Sequence, residues 1–347
     1  MEEQDSIMKV GYVAPMSISV VNGGLRNQAK STIEHITEFG VEPVLVSPWE
    51  DIRSLNLDLI HVFGASIENE GIIDQINKQG IPFVLSPVFY SNRGASFIKS
   101  SLKLERFLGK KFRTDFNFKA AQCSKADLIL PNTSDEAMLI QSGFSIPKNK
   151  VRIVPNGVEE RFATATPDLF HKQFKIHDFV LFVGQAGAER KNVIKLLEIA
   201  PKIDAPIVIV GSFYNDAYGQ KCRSLASKAG NILLIDAQDH ESDLLASAYA
   251  ACKVFVLPSQ FETPGIAAME AALAGANIVI TEKGGTKDYF KKHAEYINPA
   301  SANSLLNGIN KMLVKEHSNE LKDHILEHFT WIKVADKTVQ RYKELLQ

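Results

Sequence analysis

The chain has 347 residues, of which 45% are hydrophobic and 23% charged, and these values indicate a soluble globular protein of about two domains. Its 39 basic and 40 acidic residues give a net charge of −1. This balance argues against a nucleic-acid-binding protein, which usually carries a large basic excess. We expect a cytoplasmic protein, because no apolar run is long enough to span a membrane and no signal-peptide pattern is present. The three cysteines lack paired spacing, so neither disulfides nor a thiolate metal site is expected.

Short apolar segments alternate with longer amphipathic ones, and this alternation predicts an α/β fold. In the first half, strands are expected at 9–15, 42–46, 58–63, 82–85, 127–130 and 151–154, with a helix between Gly23 and Gly40. In the second half, strands are expected at 178–183, 206–210, 232–235, 253–257 and 277–280. Helix-length connections imply parallel pairing and right-handed crossovers, so each half should form a doubly wound sheet. Residues 160–176 show no strand pattern and are the expected linker.

The most informative segment is 254–281, VFVLPSQFETPGIAAMEAALAGANIVIT. Its first residues read as a buried strand. Thr263 and Pro264 then predict the start of a helix, since threonine is a common N-cap and proline is favoured at the first helical position. The helix is expected over 265–274, and Gly275 should end it.

Two carboxylates flank the start of this helix. Glu262 precedes it, and Glu270 follows eight positions later, about 12 Å along a helix axis at 1.5 Å per residue. The free N–H groups near Gly265 and Ile266 lie between them and favour a phosphate. A nucleotide-sugar has the matching layout, with sugar hydroxyls for Glu262, diphosphate for the helix, and ribose hydroxyls for Glu270. The alternative is that Glu270 is only a solvated or ion-paired carboxylate on an alanine-rich helix.

With this segment, the chain resembles the retaining glycosyltransferases of the GT-B fold, in particular family four, the glycosyl transferases group 1. Further matching segments follow the family's order: KVGYVAP, DLIHVFG, ADLILPNTSDE, KVRIVPNGVEERF, VLFVGQAGAERKN, PIVIVGS and GGTKDYF. The resemblance implies two doubly wound Rossmann-like domains facing a central cleft. Residues 1–165 would form the acceptor-side domain and residues 166–330 the donor domain, while the helix at 331–347 would pack back on the first domain.

The resemblance also implies a hexosyltransferase-type site and a mechanism. Glu262, Lys191 and Arg190 would be the catalytic residues. The implied donor-binding residues are Glu270, Gly265, Ile266, Gly184, Gln185, Gly23 and Gly24. The anomeric bond would break through an oxocarbenium-like state with retention, and the cations and the helix N-terminus would stabilise the leaving diphosphate. The co-substrate would be a UDP-, GDP- or ADP-linked sugar, with no metal or other cofactor.

Three positions depart from the family pattern, one of them mildly, because Asp288 stands where the family often has glutamate. Gln185 stands where relatives usually have arginine, and Val88 where many have a histidine near the reacting centre. The acceptor-side candidates are then Tyr90, Asn92 and Arg93. These departures leave open a catalytically weakened partner that binds nucleotide-sugar or glycan and scaffolds an active transferase. A nucleotide-sugar epimerase of the same fold is the other alternative, although the acid–base groups it needs around the sugar are not evident.

A basic stretch suggests a further partner. Residues 99–125 contain eight basic and two acidic residues, interleaved with aromatic and aliphatic ones. Such a stretch can lie on an anionic membrane or bind a phosphate-linked acceptor, or it can be an ordinary solvated helix. Because the resembled family often acts on lipid-linked acceptors, we favour contact of residues 97–125 with the inner face of a membrane. The expected pathway is surface polysaccharide or lipid-linked glycan assembly.

Two histidine patterns are better explained without catalysis. His324 and His328 match the H-x-x-E-H order of inverted zinc peptidases, but no third ligand is evident and a solvated helix face is the favoured interpretation. His61 follows an apolar strand and is interpreted as a buried or loop-end residue.

Overall fold

The computed structural model describes residues 7–20, 23–108 and 114–347, and the chain divides into two compact units. The first unit extends to Gly157 and also contains Trp331–Gln347, whereas the second comprises Val158–Thr330. The boundary between the units therefore lies between Gly157 and Val158, somewhat earlier than the predicted one after residue 165. The C-terminal helix belongs to the first unit.

The first unit contains a parallel sheet of five strands in the order β2-β1-β3-β4-β5 within its described residues. The strands are β1 Met8–Val13, β2 Val41–Leu45, β3 Leu59–Phe63, β4 Phe83–Ser86 and β5 Leu128–Ile129. The helices around them are α1 Gly24–His35, α2 Glu70–Gln79, α3 Ala95–Leu108, α4 Asp115–Lys125 and α5 Ser134–Met138. Strands β3 and β4 are buried along their whole length, as expected where helices cover both faces of a parallel sheet.

The strand predicted at 151–154 is wrong, because only Val151 forms an isolated bridge, with Ile129. The amides of Arg152 and Val154 do donate to the carbonyls of Ile129 and Pro131. Pro131 has no N–H to donate in return, so the ladder cannot continue.

The second unit contains a parallel sheet of six strands in the order β11-β10-β9-β6-β7-β8. The strands are β6 Val180–Val183, β7 Ile207–Val210, β8 Ile232–Ile235, β9 Val254–Leu257, β10 Asn277–Thr281 and β11 Glu295–Ile297. Its helices are α6 Asp168–Phe174, α7 Val193–Ile199, α8 Ala217–Lys228, α9 Asp243–Ala251, α10 Ile266–Leu273, α11 Thr286–Phe290, α12 Ala302–Leu313 and α13 Glu320–His328. The sequence did not predict the edge strand β11, which is only three residues long.

The predicted linker at 160–176 is also wrong. This segment forms a 3₁₀ helix at Glu160–Thr164 and then α6, and both belong to the second unit. Phe162 and Phe170 are fully buried in the core of that unit. The segment is therefore part of the core of the second unit, where burial of these two aromatic side chains stabilises the fold.

The C-terminal helix α14, Trp331–Leu346, packs on the sheet of the first unit through a buried polar contact. The Tyr342 hydroxyl lies 2.5 Å from Nδ1 of His61, and Nε2 of the same ring lies 2.9 Å from the Ser86 hydroxyl. Burial lowers the pKa of His61 to about 3, so the ring is neutral. His61 is therefore a buried core residue in the middle of β3, and it joins α14 to β3 and to the end of β4.

Candidate functional site

The Glu262 carboxylate is the centre of a charged cluster in the loop between β9 and α10. Lys191 Nζ and the Ser259 hydroxyl each lie 2.6 Å from its Oε1 atom, and Arg190 Nη1 lies 3.3 Å from the same atom. Glu262 is only 6% exposed. Burial alone would raise the pKa of Glu262, but the charges of Lys191 and Arg190 outweigh it and hold the pKa below its usual value. The carboxylate is therefore ionised and fixed in place.

The main chain of Glu262 is held by the segment that follows β10. Glu262 forms an isolated parallel bridge with Gly284: its N–H donates to the Lys283 carbonyl at 3.1 Å, and its carbonyl accepts from the Gly285 N–H at 3.0 Å. Gly284 has a φ of +86°, and a Cβ at this position would lie 2.0 Å from the Glu262 carbonyl oxygen. Only glycine allows the two backbones to approach this closely.

The two cations follow β6 in a 3₁₀ turn at Glu189–Lys191. Arg190 is fixed at both ends: its guanidinium donates to the Phe261 carbonyl at 2.9 Å, and its own carbonyl accepts from the Gln260 N–H at 2.8 Å. Gly184 lies beside the lysine, since a Cβ there would be 4.0 Å from Lys191 Cε. Gln185 is the next residue and is exposed. The structure therefore brings the predicted cations to the predicted carboxylate.

Helix α10 begins later than the sequence predicted. Its N-cap is Gly265, with a φ of +77°, so the expected cap at Thr263 and Pro264 is wrong. A Cβ on Gly265 would lie 3.0 Å from Ile280 Cδ1, so glycine serves both the left-handed turn and the packing against β10. Residues 262–265 are not helical, and the 12 Å axial separation therefore does not apply. The amide of Ala268 donates to the Gly265 carbonyl at 2.8 Å, whereas the N–H groups of Ile266 and Ala267 precede the first hydrogen bond of the helix and lie at its positive dipole end.

Glu270 is buried on α10 and already paired within the second unit. Its Oε1 atom lies 2.9 Å from Nε2 of His240, and its Oε2 atom accepts from the Tyr249 hydroxyl at 2.7 Å. The hydrogen bond with Glu270 raises the pKa of His240 to about 9, so that its imidazole is protonated at neutral pH. The structure therefore shows an ion-paired rather than a solvated carboxylate, and the ribose contact of Glu270 stays a prediction.

The other predicted donor-binding residues lie in the first unit. Gly23 is the N-cap of α1 and Gly24 is its first residue. The φ of Gly23 is −165°, an extended conformation open to any residue, and a Cβ there would have nothing within 4 Å. The local backbone therefore gives no steric reason for glycine at this cap.

The acceptor-side candidates lie on the loop between β4 and α3. Tyr90 is partly buried against the core of the first unit, whereas Asn92 and Arg93 are exposed, and the Arg93 guanidinium lies 4.5 Å from the centre of the Phe97 ring. Val88, at the start of this loop, has a φ of +50°, a conformation that strains a β-branched residue. Such strain persists only where the surroundings hold the backbone in place, and it is frequent at binding sites.

A buried carboxylate holds this strained turn. Glu136 is fully buried; one of its oxygens accepts from the Phe89 N–H at 2.6 Å, and the other accepts from the Asn132 N–H at 2.7 Å. Burial raises the pKa of Glu136 to about 7. Glu136 thereby links the loops that follow the neighbouring strands β4 and β5.

Four of these supporting residues were not predicted from the sequence: Ser259, His240, Tyr249 and Glu136. Ser259 lies three residues before Glu262 and could have been suspected from its place in the same loop. His240 and Tyr249 lie 30 and 21 residues before Glu270, in a loop and a helix of their own. No local pattern connects residues so far apart in the chain.

The basic stretch is only partly available to a partner. In α4, Lys119 is paired with Asp115 and Lys125 with Asp74. In α3, Lys99, Lys103 and Arg106 are exposed beside the exposed apolar residues Phe97, Leu104, Phe107 and Leu108. Lys110, Lys111 and Arg113 lie outside the described residues. Among those described, no helix is long and apolar enough to cross a membrane.

The zinc-peptidase pattern is not a metal site in this structure. His324 lies on α13, where its Nε2 atom is 3.0 Å from the Tyr289 carbonyl, and its ring is 4.9 Å from that of His328. Across residues 7–20, 23–108 and 114–347, no group of three or more His, Cys, Asp or Glu side chains is placed to hold a metal ion.

The fold and the second unit have clear counterparts. The structure is similar to sucrose-phosphate synthase from Thermosynechococcus elongatus, with a TM-score of 0.76 and 17% identity over 97% of this chain and 99% of that one. It is also similar to Anabaena HepE in complex with UDP, with a TM-score of 0.74 and 11% identity over 97% and 100% of the two chains. The protein therefore has the GT-B fold. Residues 169–327 match the family Glycosyl transferases group 1. The second unit thus matches the group 1 glycosyl transferases, the family that the sequence resembles.

The curated relatives match this chain over a smaller share of their own length than the two solved structures do. A glycosyltransferase of Methanocaldococcus jannaschii is 27% identical over 220 residues, which are 58% of this chain and 55% of the relative. A serotype-specific mannosyltransferase of Escherichia coli is 25% identical over 265 residues, which are 71% of this chain and 32% of the relative. The chain thus spans about half or less of the length of these two relatives.

Proposed function

We propose that this protein is a retaining, metal-independent hexosyltransferase that moves a sugar from a nucleotide-sugar to a glycan or lipid-linked acceptor in surface polysaccharide synthesis. The observation that carries the proposal is the convergence of Lys191, Arg190 and Ser259 on Oε1 of Glu262, in the loop that leads into α10. Two cations face one carboxylate there, which leaves a positive charge for a diphosphate.

The geometry supports separate roles for the two sides of the cluster. With Oε1 of Glu262 held by the cations and the serine, Oε2 can accept from a hydroxyl of the donor sugar. Lys191, Arg190 and the N–H groups at the start of α10 would bind the diphosphate, whose negative charge grows as the anomeric C–O bond breaks. The acceptor oxygen would bond to the anomeric carbon on the face that the diphosphate leaves, and its proton would pass to the leaving phosphate oxygen. These groups supply positive charge without a metal ion, which supports metal-independent transfer.

Relatives support a nucleotide-sugar as co-substrate. Anabaena HepE, which has the same fold, has been solved with UDP and with UDP-glucose. The mannosyltransferase of E. coli is described as serotype-specific, which supports a role in surface glycans. UDP-, GDP- and ADP-linked sugars are all candidate donors.

The test is a screen of UDP-, GDP- and ADP-sugars by thermal shift, followed by assays of hydrolysis and transfer. We expect at least one donor to stabilise the protein and to be turned over, and Glu262→Ala or Lys191→Ala to reduce turnover by at least 100-fold, about 2.7 kcal/mol. Lys221→Ala is the matched control, because Lys221 is an exposed lysine of the same unit whose ion-pair partner is Glu198. Binding without turnover would favour the scaffold alternative, and interconversion of nucleotide-sugars would favour the epimerase.

We also propose that α3 lies on an anionic membrane surface. Its exposed side chains combine apolar residues with Lys99, Lys103 and Arg106, and Phe107 is 86% exposed. This combination suits the interface of a bilayer that carries negative headgroups.

The test is cosedimentation with vesicles of phosphatidylglycerol or of phosphatidylcholine alone. We expect binding to the anionic vesicles only, and Phe107→Asp should weaken it. Val314→Asp, at an 82% exposed apolar position of the second unit, should leave binding unchanged. Equal binding of the wild type and the Phe107 variant would show that α3 is only a solvated helix.

A further inference from the structure

His240 covers Glu270, the carboxylate predicted from the sequence to accept the ribose of the donor. Its Nε2 atom lies 2.9 Å from Oε1 of Glu270, and the Tyr249 hydroxyl occupies Oε2. The side chain of Glu270 is 5% exposed, whereas that of His240 is 34% exposed. The imidazole therefore lies on the solvent side of the carboxylate, and a ribose that approaches Glu270 from solvent meets the imidazole first.

The charges around this imidazole favour its protonated form. Two carboxylates face it: Glu270 from α10 at Nε2, and Glu241 from the same loop, whose Oε1 atom lies 3.3 Å from Nδ1. Arg161, from the 3₁₀ helix before α6, donates to the His240 carbonyl and lies 3.9 Å from Glu241. The Phe162 ring and the imidazole form a T-shaped pair, with 5.7 Å between their centres. The main chain of His240 is thus held by Arg161, while the side chain is held chiefly by Glu270.

We propose that His240 occupies the ribose position on Glu270 in the nucleotide-free protein, and that the nucleotide displaces it with release of a proton. This proposal rests on the function proposed above. Ribose hydroxyls would donate to Oε1 in place of the imidazolium N–H, and the freed imidazolium would lose its proton to the solvent. The exchange needs only a rotation of the side chain, since the Arg161 contact is to the main chain.

The sign of the pH dependence of nucleotide binding follows from the linkage between binding and the release of the His240 proton. The pKa of His240 is raised to about 9 in the free protein by the Glu270 contact, and a solvated histidine titrates near 6.5. Between these values the free protein holds the proton and the complex does not. Affinity for the nucleotide should therefore rise with pH, by up to about tenfold per unit.

The experiment is isothermal titration of UDP-, GDP- and ADP-glucose at pH 7.0, 7.75 and 8.5, in two buffers with different ionisation enthalpies. Nucleotide-sugars are the suitable probes because their diphosphate does not titrate in this range. We expect the wild type to release close to one proton per nucleotide at pH 7.75. His240→Ala should bind more tightly than the wild type at pH 7.0 and release none. His240→Gln keeps an N–H donor for Glu270 without a titrating group, so it should bind with an affinity that does not change with pH.

The control is His317→Ala, because His317 is an exposed histidine of the second unit whose Nδ1 atom lies 2.8 Å from the Gly275 carbonyl, and its removal should leave the proton release unchanged. Weaker binding by His240→Ala, or binding by the wild type without proton release, would overturn the displacement while leaving the nucleotide site intact. No binding of any probe by the wild type and by His240→Ala would overturn the proposed function as well. Binding by His240→Ala alone would support both.

Discussion

Replacing Gly284 with alanine should displace the carboxylate at the centre of the charged cluster. The new Cβ would lie 2.0 Å from the carbonyl oxygen of Glu262, an atom of the backbone that no side-chain rotation can move away. The bridge between the two residues must then open, and Glu262 must leave the position where Lys191 and Ser259 contact it.

The expected loss of stability has two parts, the backbone strain at position 284 and the steric clash of the new methyl group. A left-handed conformation costs a non-glycine residue about 1–2 kcal/mol, and the stiffer unfolded chain returns about 0.4–1 kcal/mol. The net cost from φ alone is therefore about 1 kcal/mol. Forcing a methyl group into a packed site costs a further 1–3 kcal/mol or so. Gly284→Ala should thus lower the free energy of unfolding by about 2–4 kcal/mol.

Gly275→Ala is the matched control, because Gly275 has a φ of +97° but a Cβ there would have nothing within 4 Å. Scanning calorimetry should show a small decrease in Tm for this variant, with donor affinity unchanged. Gly284→Ala should show a larger decrease in Tm, at about 2–4 °C per kcal/mol for a unit of this size, and a loss of donor affinity. Equal Tm values and equal affinities for the two variants would refute the argument that Gly284 positions Glu262.

Two further predictions concern buried polar groups of the first unit. Tyr342→Phe leaves Nδ1 of His61 without its partner on α14, so it should lower the free energy of unfolding by about 1–3 kcal/mol in calorimetry. Tyr296→Phe, which removes an exposed hydroxyl, is the control and should lower it by less than about 0.5 kcal/mol. Equal losses for the two variants would contradict a role for the buried contact. The pKa of Glu136 is raised to about 7, so the folded state holds its proton above the usual titration range and stability should decrease as pH rises from about 4.5 to 7. Glu136→Gln should flatten that dependence in denaturation measured across this range, and an unchanged slope would show that another group causes it.

Much of the fold could be predicted from sequence because a buried parallel strand is recognisable from its own few residues. The segment VLFV at Val180–Val183 is apolar throughout, and such a run identifies a strand covered on both faces. The errors lie where a distant residue decides the outcome. Val151–Val154 has the composition of a strand, but Pro131 on the neighbouring segment lacks the N–H that would complete the ladder.

The same contrast holds within the site. The order of Glu262, Gly265 and Glu270 along the chain was enough to predict a helix start between two carboxylates. It was not enough to place the cap, because the left-handed turn at Gly265 depends on packing against Ile280 of β10. Likewise, the sequence alone does not show why position 284 is glycine, because the reason is the close approach of its backbone to the Glu262 carbonyl.

By itself, the sequence determined the two parallel α/β halves, the family resemblance and the charged residues of the proposed donor site, because local periodicity and short motifs are enough to identify them. Only the tertiary structure decided what each charge contacts. It placed Lys191 and Ser259 on one oxygen of Glu262, and His240 and Tyr249 on the two oxygens of Glu270. The physical reason is that burial and hydrogen bonding set the protonation of a carboxylate or an imidazole, and both depend on the segments that folding brings together.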